Sequence, residues 1–289
     1  MGIDPSSVGA TAGPHARSWD DRGTLLYAIG VGAGLDELPF TTENSHDTPQ
    51  RVLPTYGVIA CGRVDVLAKA GDINWGRLVH GSQSVRLHTP LPPAGELAVT
   101  SEIVDIQDKG EGKNAIITVA TRGADPATGE LVAETSSTLV VRGAGGFGGQ
   151  PGQSPARVAY PDQEPDVHTA QATREDQALT YRLSGDRNPL HSDPWFATEL
   201  AGFPRPILHG LCTYGFAGRA LLHGLCGSDP ARFRSMSARF SAPVFPGETL
   251  TTSAWRKEDG LAVFRTEAAG PAGENQRVVL DDGLLEYTS

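Results

Sequence analysis

Apolar and polar positions alternate with period two in two groups of segments. Residues 78–87, 97–106, 115–121 and 131–141 form the first group, and 233–240, 249–255, 261–268 and 277–286 the second. A period of two predicts half-buried strands. The connections are short and carry turn formers: Pro92-Pro93, Gly110, Gly112, Pro246-Gly247 and Gly260. Strands joined by tight turns predict antiparallel sheets. Each group follows a longer apolar stretch without that alternation, at 53–70 and 207–225, read as one helix each. The second stretch holds Gly210, Gly215, Ala217, Gly218 and Ala220. Small residues let a helix lie close against a sheet, despite the helix penalty of glycine.

Between the groups the chain reads GAGGFGGQPGQSPA over 143–156 and is polar with two prolines over 160–175. Such a stretch predicts a surface linker, placed at 143–170, between halves at 1–142 and 171–289. The halves echo each other. Tyr27-Ala28-Ile29-Gly30 resembles Tyr181-Arg182-Leu183-Ser184-Gly185, each after an acidic, helix-starting run. Pro93-Ala94-Gly95-Glu96-Leu97 resembles Pro246-Gly247-Glu248-Thr249-Leu250 at nearly the same offset. A duplicated unit follows. The expected fold is α+β: a long helix wrapped by an antiparallel sheet, twice over.

Composition narrows the function. The chain has 289 residues, with Lys+Arg 24 against Asp+Glu 34 and a net charge of −10. That balance disfavours nucleic acid as a partner. Cys61, Cys212 and Cys226 are few and odd in number, which predicts no disulfide framework and a reducing compartment. Residues 1–16 lack the basic start and apolar run of a signal peptide. No apolar run approaches a membrane span, and the last residues are not a Ser-Lys-Leu signal. A cytoplasmic protein without membrane contact is expected.

One segment departs from its surroundings: YRLSGDRNPLHSDP, 181–194. Its glycine, Asp, Asn and Pro place 185–189 in a loop, and Asp193-Pro194 has the form of a helix cap. Asp186 and His191 therefore share one stiff connection, with Asn188 between them. A carboxylate and an imidazole held together can move protons near neutral pH, although a capped turn would use the same residues. Gly210 opens the second apolar stretch, where a backbone N–H can support a developing oxyanion. His209 reads as a structural histidine. Two other patterns carry no chemistry. GAGGFG at 143–148 fits G-x-G-x-x-G but precedes no helix-forming sequence. His209-x-x-Cys212 and His223-x-x-Cys226 have metal-like spacing, yet both cysteines fall in an apolar helical pattern.

The stretch 181–213, YRLSGDRNPLHSDPWFATELAGFPRPILHGLCT, resembles the hydratase 2 signature of MaoC-like (R)-specific enoyl-CoA hydratases. The likeness is nearest to the hydratase 2 domain of peroxisomal multifunctional enzymes type 2. It extends to Leu53-Pro54-Thr55-Tyr56-Gly57-Val58-Ile59, His80-Gly81-Ser82-Gln83, Asp108-Lys109-Gly110 and Ser237-Ala238-Arg239-Phe240, so it covers nearly the whole chain. The resemblance implies a double hot dog fold. It also implies hydration of trans-2-enoyl-CoA to (3R)-3-hydroxyacyl-CoA and the reverse reaction. It places catalysis on Asp186, His191, Asn188 and the Gly210 amide, and substrate contacts on His80, Gly81, Lys109 and Phe240. No metal or cofactor is implied, and the partner is an acyl-CoA. Lys109 is the first candidate for the CoA phosphates, with Arg239 second. One residue is inserted between His191 and Gly210, expected to lengthen the short helix near 195–200. The other readings are a hot-dog thioesterase and a non-catalytic acyl-CoA-binding protein. The Asp186/Asn188/His191 set favours hydration over both. Open sheet edges point to a homodimer. Aligning Tyr27 with Tyr181 puts Gly32 and Glu37 where Asp186 and His191 stand, so a single active site per chain is expected.

Overall fold

The computed structural model describes residues 2–153 and 155–288. Among these, ten strands form one antiparallel sheet. The first half supplies β1 (Thr11–Trp19), β2 (Leu78–Leu87), β3 (Gly95–Asp108), β4 (Ala115–Ala124) and β5 (Leu131–Val141). The second supplies β6 (Val167–Ala172), β7 (Phe233–Phe240), β8 (Thr249–Glu258), β9 (Leu261–Ala269) and β10 (Arg277–Tyr287). Their order is β1-β3-β4-β5-β2-β7-β10-β9-β8-β6. Counted outward from the central β2–β7 seam, the halves have the same topology: β2 answers β7, β5 answers β10, and β1 answers β6. The seam pairs Ser82 with Arg239 through Arg86 with Ser235. The strands read from alternation all form. β5 shows the cause, burying every second side chain from Ala133 to Val141.

The helices are α1 (Asp21–Gly30), α2 (Leu38–Thr41), α3 (Gly57–Ala60), α4 (Gln177–Tyr181) and α5 (Gly210–Cys226). Asp20 caps α1 by accepting the Gly23 N–H. α1 and α4 meet through the duplicated tyrosines, the Tyr27 and Tyr181 rings lying 6.0 Å apart. α5 is buried along most of its length. A Cβ at Gly215 would stand 2.3 Å from Val31, and one at Gly218 would stand 2.4 Å from Thr55. Glycine there costs about 1 kcal/mol of helix propensity per residue but permits the contact. No helix among the described residues is long and apolar enough to cross a membrane.

Three expectations need correction. Residues 53–70 do not form one long helix. They fold as a 3₁₀ turn (Pro54–Tyr56), α3 and a second 3₁₀ turn (Asp65–Lys69). The chain breaks at Gly62, where a Cβ would lie 2.1 Å from the Val58 carbonyl oxygen, and Pro54 and Gly57 weaken the helix before it. Second, β1 and β6 are strands absent from the pattern analysis. Both are sheet edges: β1 is mostly exposed, and β6 is a short run of six residues whose His, Thr and Gln carry little apolar contrast.

Third, the glycine-rich segment is fastened rather than loose. The Asp108 carboxylate accepts the N–H groups of Gly146 (2.7 Å), Gly148 (2.8 Å), Gly149 (3.3 Å) and Gly110 (2.9 Å). The Gly146 amide foremost, with the others, holds the Asp108 carboxyl below its ordinary range against the opposing effect of burial. Gly146 and Gly148 take φ of 97° and 83°, a region open to glycine. Further on, Tyr160 Oη donates to Asp281, and the Val158 N–H to Asp282. Asp108→Ala should therefore release this segment. Amide exchange at Gly146, Gly148 and Gly149 should accelerate roughly ten- to a hundredfold, the scale of lost charge-assisted hydrogen bonds. Unchanged protection measured by hydrogen–deuterium exchange would assign the anchoring elsewhere.

Candidate active site

The loop after α4 turns at Gly185, whose φ of 130° suits glycine alone. Two side chains then shape it from within. Asp186 Oδ1 accepts the Asn188 N–H at 3.0 Å, and Asn188 Oδ1 accepts the Leu190 N–H at 3.0 Å. Asn188 so caps the 3₁₀ turn Pro189–His191. The capping role read for Asp193 is present: its Oδ1 accepts the Trp195 N–H at 3.0 Å. The residues beyond, Phe196–Leu200, form a π turn.

His191 is buried, and its Nδ1 donates to the Ile207 carbonyl at 2.9 Å. A carbonyl only accepts, so Nδ1 carries the proton and Nε2 keeps its lone pair. Burial pushes the His191 pKa below the ordinary 6.5, against the raising effects of Ile207 and Asp186. The ring is neutral at neutral pH. His209, just before α5, stacks on it with ring centres 3.7 Å apart. A carboxylate oxygen of Asp186 and one ring nitrogen from each histidine lie within 4.8 Å of one another. This cluster does not suit a metal. Stacked rings hold their in-plane lone pairs in two separate layers, and one nitrogen of each ring is already spent on a backbone carbonyl. The Cys212 thiol is likewise engaged, donating to Gly30 O.

Gly210 opens α5, where the first N–H groups have no partner within the helix. A Cβ there would stand 3.1 Å from the Phe240 ring, which itself lies 4.8 Å from His80. His80 Nε2 is buried without a protein partner, and burial pushes the His80 pKa down to about 4. A cavity of about 600 Å³ runs between the halves. Asp186, Asn188, His191, Gly210, His80 and Phe240 all line it. The two other expected contact residues do not. Gly81 lies in a β2 irregularity against Thr138 and Val140 of β5, and the Lys109 ammonium donates to Pro151 O. Arg239 is held by Asp281 and Asp282. The cations on the cavity wall are Arg17, Arg63 and Arg142. They are far apart in sequence and share no motif, so only folding brings them together. Val58, Ile59 and Val64, from the broken 53–70 segment, line the first-half side.

A cavity between two sheet halves, lined by Asp186, His191 and the start of α5, is the arrangement expected of a double-hot-dog enzyme of the hydratase–dehydratase class. The comparisons agree. Residues 18–143 match the family described as MFE-2 hydratase 2 N-terminal domain, and 157–273 the one described as MaoC like domain. The chain is 63% identical, over the full length of both, to 3-hydroxyacyl-thioester dehydratase Y of Mycobacterium tuberculosis. It superposes on a MaoC-like dehydratase from Phytophthora capsici with TM-score 0.85 and 33% identity, covering 100% of this chain and 98% of that one. A Mycobacterium tuberculosis protein described as having a double hotdog fold gives TM-score 0.60 at 17% identity, over 98% and 96% of the two chains. The chain belongs to the MaoC-like hydratase family.

Among the described residues, the first-half positions aligned with Asp186 and His191 are arranged differently. Gly32, aligned with Asp186, has φ of 82°, and a Cβ there would meet Phe216 at 2.4 Å. Glu37, aligned with His191, is bound by Arg219 (2.7 Å) and His223 (2.8 Å). Burial pushes its carboxyl up, but the hydrogen bonds from His223 and Arg219 outweigh it and hold the pKa at about 2, against an ordinary 4.5. His223 lies thirteen residues along α5 from Gly210, about 20 Å at the helical rise, so this cluster stands apart from the cavity. Glu37→Gln should keep kcat within about twofold while costing about 3 kcal/mol of stability, as for a broken buried ion pair. The sign with pH follows. A carboxyl with a depressed folded pKa stabilises fully above 4.5, and that contribution is lost as pH falls toward 2. The difference in unfolding free energy between wild type and Glu37→Gln should shrink over that window. A constant difference would place the stabilisation elsewhere.

Proposed function

We propose that the chain adds water to trans-2-enoyl-CoA to give (3R)-3-hydroxyacyl-CoA, and catalyses the reverse dehydration, as a lyase of fatty-acyl metabolism. The observation that carries this reading is the His191 Nε2 lone pair, fixed by the Nδ1 bond to Ile207 O, beside Asp186 on the cavity that Gly210 also lines. Water sits between the Asp186 carboxylate and His191 Nε2. Its oxygen attacks C3 as the pair takes one of its protons. Electron density moves to the thioester oxygen, which the Gly210 N–H and the positive end of α5 stabilise. The pair then supplies a proton to C2, so water is added across the double bond and both side chains return to their starting state. Asn188 holds the loop that aims Asp186.

The second half, 171–289, carries this chemistry, and the first, 1–142, gives room to the acyl chain where 53–70 leaves the helical path. The buried His80 Nε2 and the Phe240 ring flank the thioester. An acyl-CoA is too large for a cavity of about 600 Å³ to enclose whole. Its phosphates meet Arg17, Arg63 or Arg142 at the wall, and Gly81 and Lys109 contact the part that extends outside. The protein works in the cytoplasm as a homodimer, which would cover exposed apolar side chains such as Leu183, Trp195 and Leu200.

Hydration assays over trans-2-enoyl-CoAs of increasing chain length, with chiral analysis of the product, test the activity. An (S) product, or release of free thiol instead, would refute it. Asp186→Asn and His191→Gln should each lower kcat about 10²–10⁴-fold, the range for positioned acid–base groups. In wild type, the acidic limb of kcat/KM should lie below pH 6.5, since protonating His191 removes the base and its pKa is depressed. A limb above 6.5 would contradict the neutral, buried imidazole.

A further inference from the structure

His209 contacts the Asp186 backbone and the His191 ring and immediately precedes Gly210, without lining the cavity itself. Its Nε2 lies 3.1 Å from the Asp186 carbonyl oxygen, across twenty-three positions of sequence. A carbonyl only accepts, so Nε2 carries the proton and donates it. Its ring stacks on His191, with centres 3.7 Å apart, and the Tyr181 ring closes against it at 4.9 Å. Its backbone is the residue before Gly210, and its carbonyl accepts the N–H groups of Cys212 and Thr213 in the first turn of α5. The side chain is almost fully buried, at 1% exposure. One imidazole thus joins the Asp186 backbone, the His191 ring and the start of the helix that presents the Gly210 amide.

We propose that His209 is a positioning residue of the hydratase: through its Nε2–H bond to Asp186 and its stack on His191 it holds the acid–base pair in register with the Gly210 amide. This rests on the reading of Asp186 and His191 as that pair. The arrangement requires an uncharged ring. A cation at 209 would face the cationic form of His191 at stacking distance. The charged and titratable groups around it are Asp186, which favours a positive ring, and His191 and Arg182, which oppose one, with Tyr181 on the remaining side. Burial outweighs the rest and, with His191 and Arg182, holds the His209 pKa at about 3 despite Asp186, so the ring is neutral throughout the working range. The stack also keeps water from one face of His191, and so helps maintain that residue's depressed pKa.

Three variants of the full chain separate the contacts, assayed with trans-2-hexenoyl-CoA while thermal unfolding checks the fold. His209→Phe keeps a stacked ring and loses the donor. It should lower kcat about ten- to a hundredfold with KM within about twofold, the scale of a small misplacement of catalytic groups. His209→Gln keeps an amide N–H near the Nε2 position and loses the ring. It should retain more kcat than His209→Ala, and its acidic kcat/KM limb should move to higher pH as His191 becomes better solvated. Folded Phe and Gln variants with wild-type kcat and an unmoved limb would overturn the proposal, as would Gln performing no better than Ala. A Phe variant that fails to fold leaves the Gln-against-Ala comparison decisive. Wild-type turnover in Asp186→Asn and His191→Gln would instead refute the acid–base reading itself, which these assays record separately.

Discussion

α5 is enclosed on nearly every side, and that enclosure constrains everything around it. A buried helix must be narrow where neighbours press on it, hence Gly215 against Val31 and Gly218 against Thr55. Tyr214 spends its hydroxyl on the Met236 carbonyl, which ties the helix to β7 beside the seam. The C-terminus closes on Gly227 in the left-handed conformation. Its N-terminus is left with donors that no helical carbonyl can satisfy. The fold leaves that end at a cavity between the halves rather than in the apolar core, and the chemistry is assembled there.

The duplication holds for the sheet but not for the loops beside the helices. Both halves have the same strand order and meet symmetrically at β2–β7 and through Tyr27 and Tyr181. Around the helices the symmetry fails. Where the second half has Asp186 beside the His191 imidazole, the first has Gly32 against Phe216, and Glu37 neutralised by Arg219 and His223. The Glu37 carboxylate belongs to a buried ion cluster that joins the halves. The counterpart of α5 broke into short turns, whose residues line the cavity.

Electrostatics in the site follow from burial more than from net charge. The chain carries −10 overall, yet three arginines line the cavity. The histidines around it are held neutral by desolvation, which leaves His191 able to accept a proton at neutral pH. Hydrogen bonds to the backbone carbonyls of Ile207 and Asp186 then decide which nitrogen of His191 and His209 bears the proton.

Much of this was legible in the chain. Period-two alternation located eight strands, because each lies with one face buried and one exposed. The run from Gly185 to Asp193 announced its loop and caps, since glycine, Asp, Asn and Pro act through their own local backbone. Edge strand β1 was hidden because exposure on both faces erases alternation, and β6 because its six residues carry little apolar contrast. The 53–70 segment misled for a related reason: apolar content reports burial, not helix continuity, and Pro54, Gly57 and Gly62 interrupt it. The anchoring of the glycine-rich segment on Asp108, the convergence of Arg17, Arg63 and Arg142, and the stack of His209 on His191 are all long-range. Sequence determined the local elements and the residue types able to do the chemistry. Only tertiary packing decided which distant groups meet, which nitrogens are free, and where the cavity between the halves lies.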